Sequence, residues 1–156
     1  MRASPIEPEH LWPPAFGAWI KIAVCYEKGH RRFGAMLRPL ALTVAQFDAL
    51  ANLYSTDGMS QQELAEKLLV TKGNVTGLVN RLAERGLVER KAHPIDRRTN
   101  RLVLTASGRT LARNGLIIQR SLIEEMLGGL SPPEQESLRD YLGRIIARLD
   151  AAPRGE

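Results

Sequence analysis

Thr71-Lys-Gly-Asn-Val-Thr-Gly-Leu-Val-Asn-Arg-Leu82 is the stretch of sequence from which the fold can be worked out. Its apolar residues recur at the spacing of one helical face, namely Val75, Leu78, Val79 and Leu82. The opposite face carries short polar side chains and glycines, which are poor helix formers but let a helix come close to another molecule. Because Asn, Thr and Arg can hydrogen-bond to base edges, we predict a helix that begins after a Thr71 cap and enters the major groove of DNA.

A second, shorter helix is predicted just before this one. Ser60-Gln-Gln-Glu63 is a capping box, and the apolar face that follows is Leu64, Ala65 and Leu68. Two short helices separated by a turn at residues 68–70 form a helix-turn-helix, in which the first helix lies across the DNA backbone. We therefore expect Gln61 and Gln62 to face phosphates.

The chain after the long helix is predicted to form a hairpin. Gly86 can end the helix in the left-handed conformation, and the segments 87–91 and 101–104 alternate as strands do. An arginine at the tip of such a hairpin suits the narrow minor groove, and Arg97 and Arg98 are the candidates. We expect Asp96 to orient a neighbouring arginine, either Arg98 or Arg81, by a bidentate pair.

The charge of the chain is concentrated in the same stretch. Thr71 to Arg101 holds eight Lys or Arg against three acidic residues, which accounts for the whole net charge of +5. Such a local basic excess attracts the phosphates of a nucleic acid. The residues predicted to contact DNA are Gln61, Gln62, Thr71, Lys72, Gly73, Asn74, Thr76, Gly77, Asn80, Arg81, Arg90, Arg97, Arg98 and Arg101.

Three motifs follow one another at a spacing that resembles MarR-family regulators. They are Leu82-x-x-x-Gly86-Leu-Val-x-Arg90, Pro94-x-Asp-Arg-Arg98 and Leu104-Thr-x-x-Gly108. The resemblance implies a homodimeric transcription factor, usually a repressor, which leaves a palindromic double-stranded operator when a small molecule binds or a thiol is oxidised. Asp96 and Arg98 match the wing signature of the family.

The expected fold is therefore mainly α with a small β-hairpin wing. Residues 41–104 would form a winged helix-turn-helix, flanked by an N-terminal arm and dimerisation helix in residues 1–40 and by C-terminal dimerisation helices in residues 105–156. The first helix is predicted from Ala15 to Arg38, where Pro39 stops it. Capping residues at Thr43, Thr105 and Ser131 would open three more helices.

Apolar stripes run along these helices, and those of the first helix and of the helix after Thr43 are expected to face inward. In the first helix the stripe is Phe16, Trp19, Ile20, Ala23, Tyr26, His30, Phe33 and Leu37; in the helix after Thr43 it is Phe47, Leu50 and Tyr54; in the last helix it is Leu138, Tyr141, Leu142, Ile145, Ile146 and Leu149. The helix before the last is apolar on several sides, so in a chain of this size a dimer partner is the natural cover.

A crevice for a small aromatic or phenolic effector is implied by the family resemblance. Its candidate lining residues are Trp19, Tyr26, His30, Arg31 and Phe47. Aromatic residues at helical spacing are also typical of a hydrophobic core, and His30 fits a buried, hydrogen-bonded histidine as well as a ligand contact.

Cys25 is the one cysteine of the chain, so no internal disulfide can form. Its surroundings do not match those of peroxide-sensing relatives, and we interpret it as an inert thiol, with thiol-based redox sensing as the alternative. No Cys/His cluster indicates a metal, no cofactor is expected, and the first helix is too charged to span a membrane. Since the leader also lacks the apolar run of a signal peptide, we expect a cytoplasmic protein.

Enzymatic motifs are missing from the sequence. It has no paired carboxylates in a plausible cleft, Gly-rich phosphate loop, metalloprotease motif or nucleophile elbow. A winged helix that binds protein instead of DNA is the remaining alternative, because a fold alone does not determine function. Arg97 and Arg98 beside a polar, glycine-bearing helix favour DNA.

Overall fold

The computed structural model describes residues 13–92 and 100–151. Its elements in chain order are α1 (Phe16–Leu37), α2 (Val44–Ser55), β1 (Met59–Ser60), α3 (Gln61–Leu68), α4 (Lys72–Glu84), β2 (Val88–Ala92), β3 (Asn100–Leu104), α5 (Ala106–Leu127) and α6 (Pro132–Ala151). A short 3-10 helix, Arg38–Leu40, links α1 to α2 at the predicted proline stop. The expectation of a mainly helical chain with a small β-hairpin is confirmed.

Capping side chains begin the helices where the sequence predicts them. At α2 and at α3 both halves of a capping box form, between Thr43 and Gln46 and between Ser60 and Glu63. The predicted box at α6 differs, because the Ser131 hydroxyl donates to Glu134 Oε2 at 2.6 Å instead of accepting from the backbone. Glu134 also accepts from the Ser131 backbone N–H, and the two hydrogen bonds lower the pKa of its carboxyl.

The sheet contains one strand more than predicted. Its order is β1-β3-β2, all antiparallel, with Met59 opposite Leu102 and Ala92 opposite Asn100. β1 has two residues, too few for an alternating pattern to be visible in the sequence. The strands β2 and β3 flank residues 93–99, so Asp96, Arg97 and Arg98 lie outside the described residues.

Two compact units occur in the chain, Met1–Gln119 and Arg120–Glu156. The core of the first unit joins α1 and α2 to the helix-turn-helix and the sheet; its fully buried larger side chains are Leu37, Phe47, Leu50, Leu53, Leu64, Val75, Val79, Leu82 and Leu102. α5 begins so close to the residue before β2 that a Cβ on Gly108 would lie 2.0 Å from the Leu87 carbonyl oxygen. Only a residue without a side chain permits this approach, which places the start of α5 directly against the sheet.

The predicted inward stripe of α1 is wrong for most of its length within the single chain. Phe33 and Leu37 are buried, but Trp19 and Tyr26 are 62% and 67% exposed, and His30 is exposed too. Tyr54 of α2, also predicted to face inward, is exposed. The periodicity of a helix identifies an apolar face but not the molecule that covers it, and this chain covers only the C-terminal end of the α1 face.

The second unit also leaves an apolar face exposed. Tyr141, Ile145, Ile146 and Leu149 of α6 are exposed, while Leu138 and Leu142 are half-buried. The turn before α6 is held by Gln135, whose Nε2 donates to the carbonyl oxygens of Leu127 and Leu130. Among the helices in the described part of the chain, none has the length and apolar character needed to cross a bilayer.

Candidate nucleic-acid interface

The turn between α3 and α4 sets the angle at which the two helices meet. Leu69 ends α3 in the left-handed conformation, with φ 54°, and the residue is 93% exposed. The Val70 N–H returns to the Ala65 carbonyl at 3.1 Å, which closes the helix end and directs the chain into Thr71. The Thr71 hydroxyl then accepts from the Asn74 N–H at 3.4 Å and begins α4.

The two faces of α4 divide as the sequence predicts. The residues of its apolar stripe, Val75, Leu78, Val79 and Leu82, are buried. On the opposite side Lys72, Gly73, Asn74, Asn80 and Arg81 are exposed, while Thr76 and Gly77 are half-buried. A Cβ on Gly73 would meet nothing within 4 Å, so the backbone of the first turn is open to an approaching molecule.

A chain of hydrogen bonds joins α3, α4 and β2 at this exposed face. Arg90 Nη2 donates to Asn80 Oδ1 at 2.5 Å, and Arg90 Nε donates to Gln61 Oε1 at 3.3 Å. Gln61 Nε2 in turn donates to Thr76 Oγ1 at 3.1 Å, and the Thr76 hydroxyl donates to the Lys72 carbonyl at 2.9 Å. The structure thus brings together the side chains of four residues that the sequence nominates for DNA contact, namely Gln61, Thr76, Asn80 and Arg90.

Other nominated residues lie at the edges of this network. Gln62 Nε2 donates to Glu66 Oε1 at 3.3 Å within α3. Arg101 is half-buried, and its side chain passes over Gly58, where a Cβ would be 3.3 Å from Arg101 Cδ. Arg81 lies along α4, with Nη1 3.7 Å from the position of a Cβ on Gly77.

Two further arginines hold elements of this unit together by long-range contacts, and no local sequence pattern predicts either contact. Arg85, part of the basic excess, donates through Nη1 to the Ala41 carbonyl at 2.8 Å, which fastens the end of α4 to the turn before α2. Arg109 Nη2 pairs with Asp57 Oδ2 at 2.6 Å, which fastens α5 to the loop before β1. The partners are 44 and 52 residues apart, beyond the reach of local sequence patterns.

The residues nominated for an effector crevice occupy different environments. Phe47 is fully buried and packs edge-to-face on Phe33, with ring centroids 5.0 Å apart. Tyr26 and His30 are exposed neighbours on α1, with ring centroids 5.7 Å apart, and Arg31 is exposed beside them. Trp19 lines an open depression of about 330 Å³ together with Pro13, Ala15 and Phe16.

Cys25 lies on α1 and its thiol is exposed. Within residues 13–92 and 100–151, His, Cys, Asp and Glu form no group of three or more that could hold a metal ion.

Comparison with known proteins identifies the family. The model of the MarR family matches residues 42–99. HTH-type transcriptional repressor Rv2887 of Mycobacterium tuberculosis is 32% identical over 111 residues, which cover 71% of this chain and 80% of the repressor. Transcriptional regulator HosA of Escherichia coli is 35% identical over 105 residues, 67% of this chain and 78% of HosA.

A solved structure agrees with this comparison. A mutant MarR from Escherichia coli, complexed with operator DNA, superposes with a TM-score of 0.75 at 26% identity, covering 91% of this chain and 99% of MarR. The relatives are transcriptional regulators and not enzymes, as the sequence predicts. The chain therefore belongs to the MarR family and is a winged-helix, DNA-binding transcriptional regulator.

Proposed function

We propose that the chain acts as a homodimeric repressor that binds a palindromic operator and leaves it when a small aromatic or phenolic effector binds. In this proposal residues 41–104 read the DNA, and the flanking segments 1–40 and 105–156 hold two copies together. The protein works in the cytoplasm, where its DNA is accessible.

One observation carries the DNA-binding part of the proposal: the outward face of α4. Lys72, Asn74 and Arg81 are exposed there beside the open backbone of Gly73. All of the net charge of +5 falls between Thr71 and Arg101, where a phosphate backbone would lie. The MarR that resembles this chain was solved with operator DNA, and Rv2887 is named a repressor.

The dimer is supported by the apolar side chains that the single chain leaves in water. On α1 these include Trp19 and Ile22, and on α6 they include Ile146 and Leu149, which are 58% and 69% exposed. A second copy that covers such faces removes the cost of hydrating them. Two-fold symmetry then presents two α4 helices to half-sites about 34 to 36 Å apart, which explains why the operator should be an inverted repeat.

Release by an effector requires that the ligand bind one spacing of the two α4 helices better than another. Trp19, Tyr26, His30 and Arg31 offer aromatic faces and a cation at the surface of α1, and Phe47 lies in the core of the same unit. An aromatic anion fits this chemistry, because stacking and charge pairing are available on one helix.

The experiment combines oligomeric state with DNA binding. Light scattering on the purified chain should give twice the monomer mass of 17.3 kDa. Band-shift titrations with the intergenic duplex beside its own coding region should show saturable binding to an inverted repeat that weakens steeply with salt. A monomer, or a dimer that binds that duplex no better than a scrambled one, would overturn the proposal.

A further inference from the structure

Arg90 holds two amide side chains of the interface in a defined orientation. Its guanidinium contacts Asn80 through Nη2 at 2.5 Å and Gln61 through Nε at 3.3 Å. A guanidinium carries only N–H donors, so each amide must turn its carbonyl oxygen toward Arg90. The donors of the guanidinium therefore determine which end of each amide faces Arg90.

The same constraint propagates through Gln61 to α4. With Oε1 directed at Arg90, the Nε2 group of Gln61 faces Thr76 Oγ1 at 3.1 Å and donates to it. The Thr76 hydroxyl proton is already donated to the Lys72 carbonyl. Gln61 and Thr76 consequently hydrogen-bond within the protein through groups that the sequence alone would assign to DNA contacts.

Asn80 is different, because one end of its amide remains available. Its oxygen accepts from Arg90, and the side chain is exposed on the polar face of α4. Within the described part of the chain, its Nδ2 group makes no hydrogen bond. An asparagine that reads adenine uses its oxygen and its nitrogen together, accepting from N6 and donating to N7. The Asn80 carbonyl oxygen has two lone pairs and Arg90 uses one of them, so the amide presents its Nδ2 donor and one further acceptor position in a fixed order.

We propose that Arg90 is a positioning residue that fixes the orientation of the Asn80 amide, so that its Nδ2 group donates to DNA. The partner of Asn80 Nδ2 is then a hydrogen-bond acceptor of the operator, either a phosphate oxygen or a base-edge acceptor such as purine N7 or guanine O6. This inference rests on the proposed function and assigns Arg90 a role beyond attraction of phosphates.

The test compares Arg90→Lys, Asn80→Ala and the double variant, each as the full chain. Lysine keeps the positive charge but lacks the planar fork that holds two amides at once. The probe is the consensus duplex that the unmodified chain selects from a randomised pool. Lys91→Gln, a charge change at the next residue of β2, is the control and should leave the selected sequence unaltered.

Each single variant should bind the consensus about tenfold more weakly. The double variant should be no weaker than Asn80→Ala, because Arg90 acts through Asn80. If the acceptor is a base, both single variants lose sequence preference at the same base pair of each half-site. If the acceptor is a phosphate, affinity falls equally for all sequences and the selected profile is unchanged.

Three outcomes would overturn the inference while the proposed function survives. They are full affinity in Arg90→Lys, full affinity in Asn80→Ala, and additive losses in the double variant. If the unmodified chain selects no consensus at all, the proposed function itself fails. Thermal unfolding of each variant checks that a change in affinity is not a loss of fold.

Discussion

Gly115 of α5 lies so close to Phe47 of α2 that a Cβ at this position would be 2.4 Å from Phe47 Cδ2. Phe47 is fully buried and also packs edge-to-face on Phe33, so the ring has little room to move. The contact fixes α5 against the core of the first unit. It also places Phe47, nominated from the sequence for an effector crevice, in a packing role.

Gly115→Ala should therefore lower the free energy of unfolding by about 1 to 3 kcal/mol, the usual cost of overpacking a core. Urea denaturation measures this loss. Gly143→Ala on α6 is the matched control, since a Cβ there meets nothing within 4 Å. Equal stability of the two variants would mean that α2 and α5 can separate without cost.

Gly73→Ala should have opposite effects on stability and on DNA binding. The methyl group meets no protein atom within 4 Å, so the better helix former should stabilise the free chain by about 0.5 kcal/mol. The same methyl group would keep the first turn of α4 away from the groove, and affinity for the selected duplex should fall about tenfold. Gly143→Ala should gain stability and keep full affinity. Unchanged DNA binding in Gly73→Ala would show that this turn makes no close approach.

Asp48 makes the stability of the folded chain depend on pH. Burial raises the pKa of its carboxyl above the usual 3.8, and the charge of His30 opposes the shift. The folded state thus binds this proton more tightly than the unfolded state. Above the raised pKa the ionised, buried carboxylate lowers the stability of the fold. This loss of stability disappears as the pH falls toward 3.8, where the carboxyl is protonated. Asp48→Asn should be more stable than the unmodified chain at neutral pH and lose that advantage in acid. Asp150→Asn, an exposed position of α6, is the control for replacing one aspartate by asparagine. An Asp48→Asn variant that is less stable at neutral pH would indicate that attraction to His30 outweighs burial.

Arg98 lies outside the described residues, and its role remains a prediction from the sequence. Arg98→Ala should weaken operator binding about tenfold through loss of a minor-groove contact. Arg148→Ala, which removes an equal charge from α6, controls for general electrostatics. Equal affinities of the two variants at matched salt would remove residues 93–99 from the mechanism.

Cys25 is predicted to be inert although its thiol is exposed. A single cysteine has no resolving partner within its own chain, so an oxidised thiol could not be trapped as an internal disulfide. Peroxide should therefore release DNA equally from the unmodified chain and from Cys25→Ser. Release that depends on Cys25 would establish thiol-based sensing in place of this interpretation.

Local features of the chain were predictable because their causes act within a few residues. The caps at Thr43, Ser60 and Thr71 begin helices by hydrogen bonds to the third residue beyond, and the apolar stripe of α4 follows from helical periodicity alone. The family motifs extended this prediction to the winged fold. β1 was missed, because a strand of two residues exists only through its pairing with β3.

Long-range contacts decided which polar groups the interface can offer. As residue types, four side chains are plausible DNA contacts: Gln61, Thr76, Asn80 and Arg90. The folded chain brings Gln61 to Thr76, 15 residues away, and to Arg90, 29 residues away, so these side chains hydrogen-bond to one another within the protein. The exposed stripes of α1 and α6 give a related lesson. Helical spacing identifies an apolar face. Only the tertiary structure shows that the single chain leaves this face exposed, because burial depends on neighbours that lie far away in sequence.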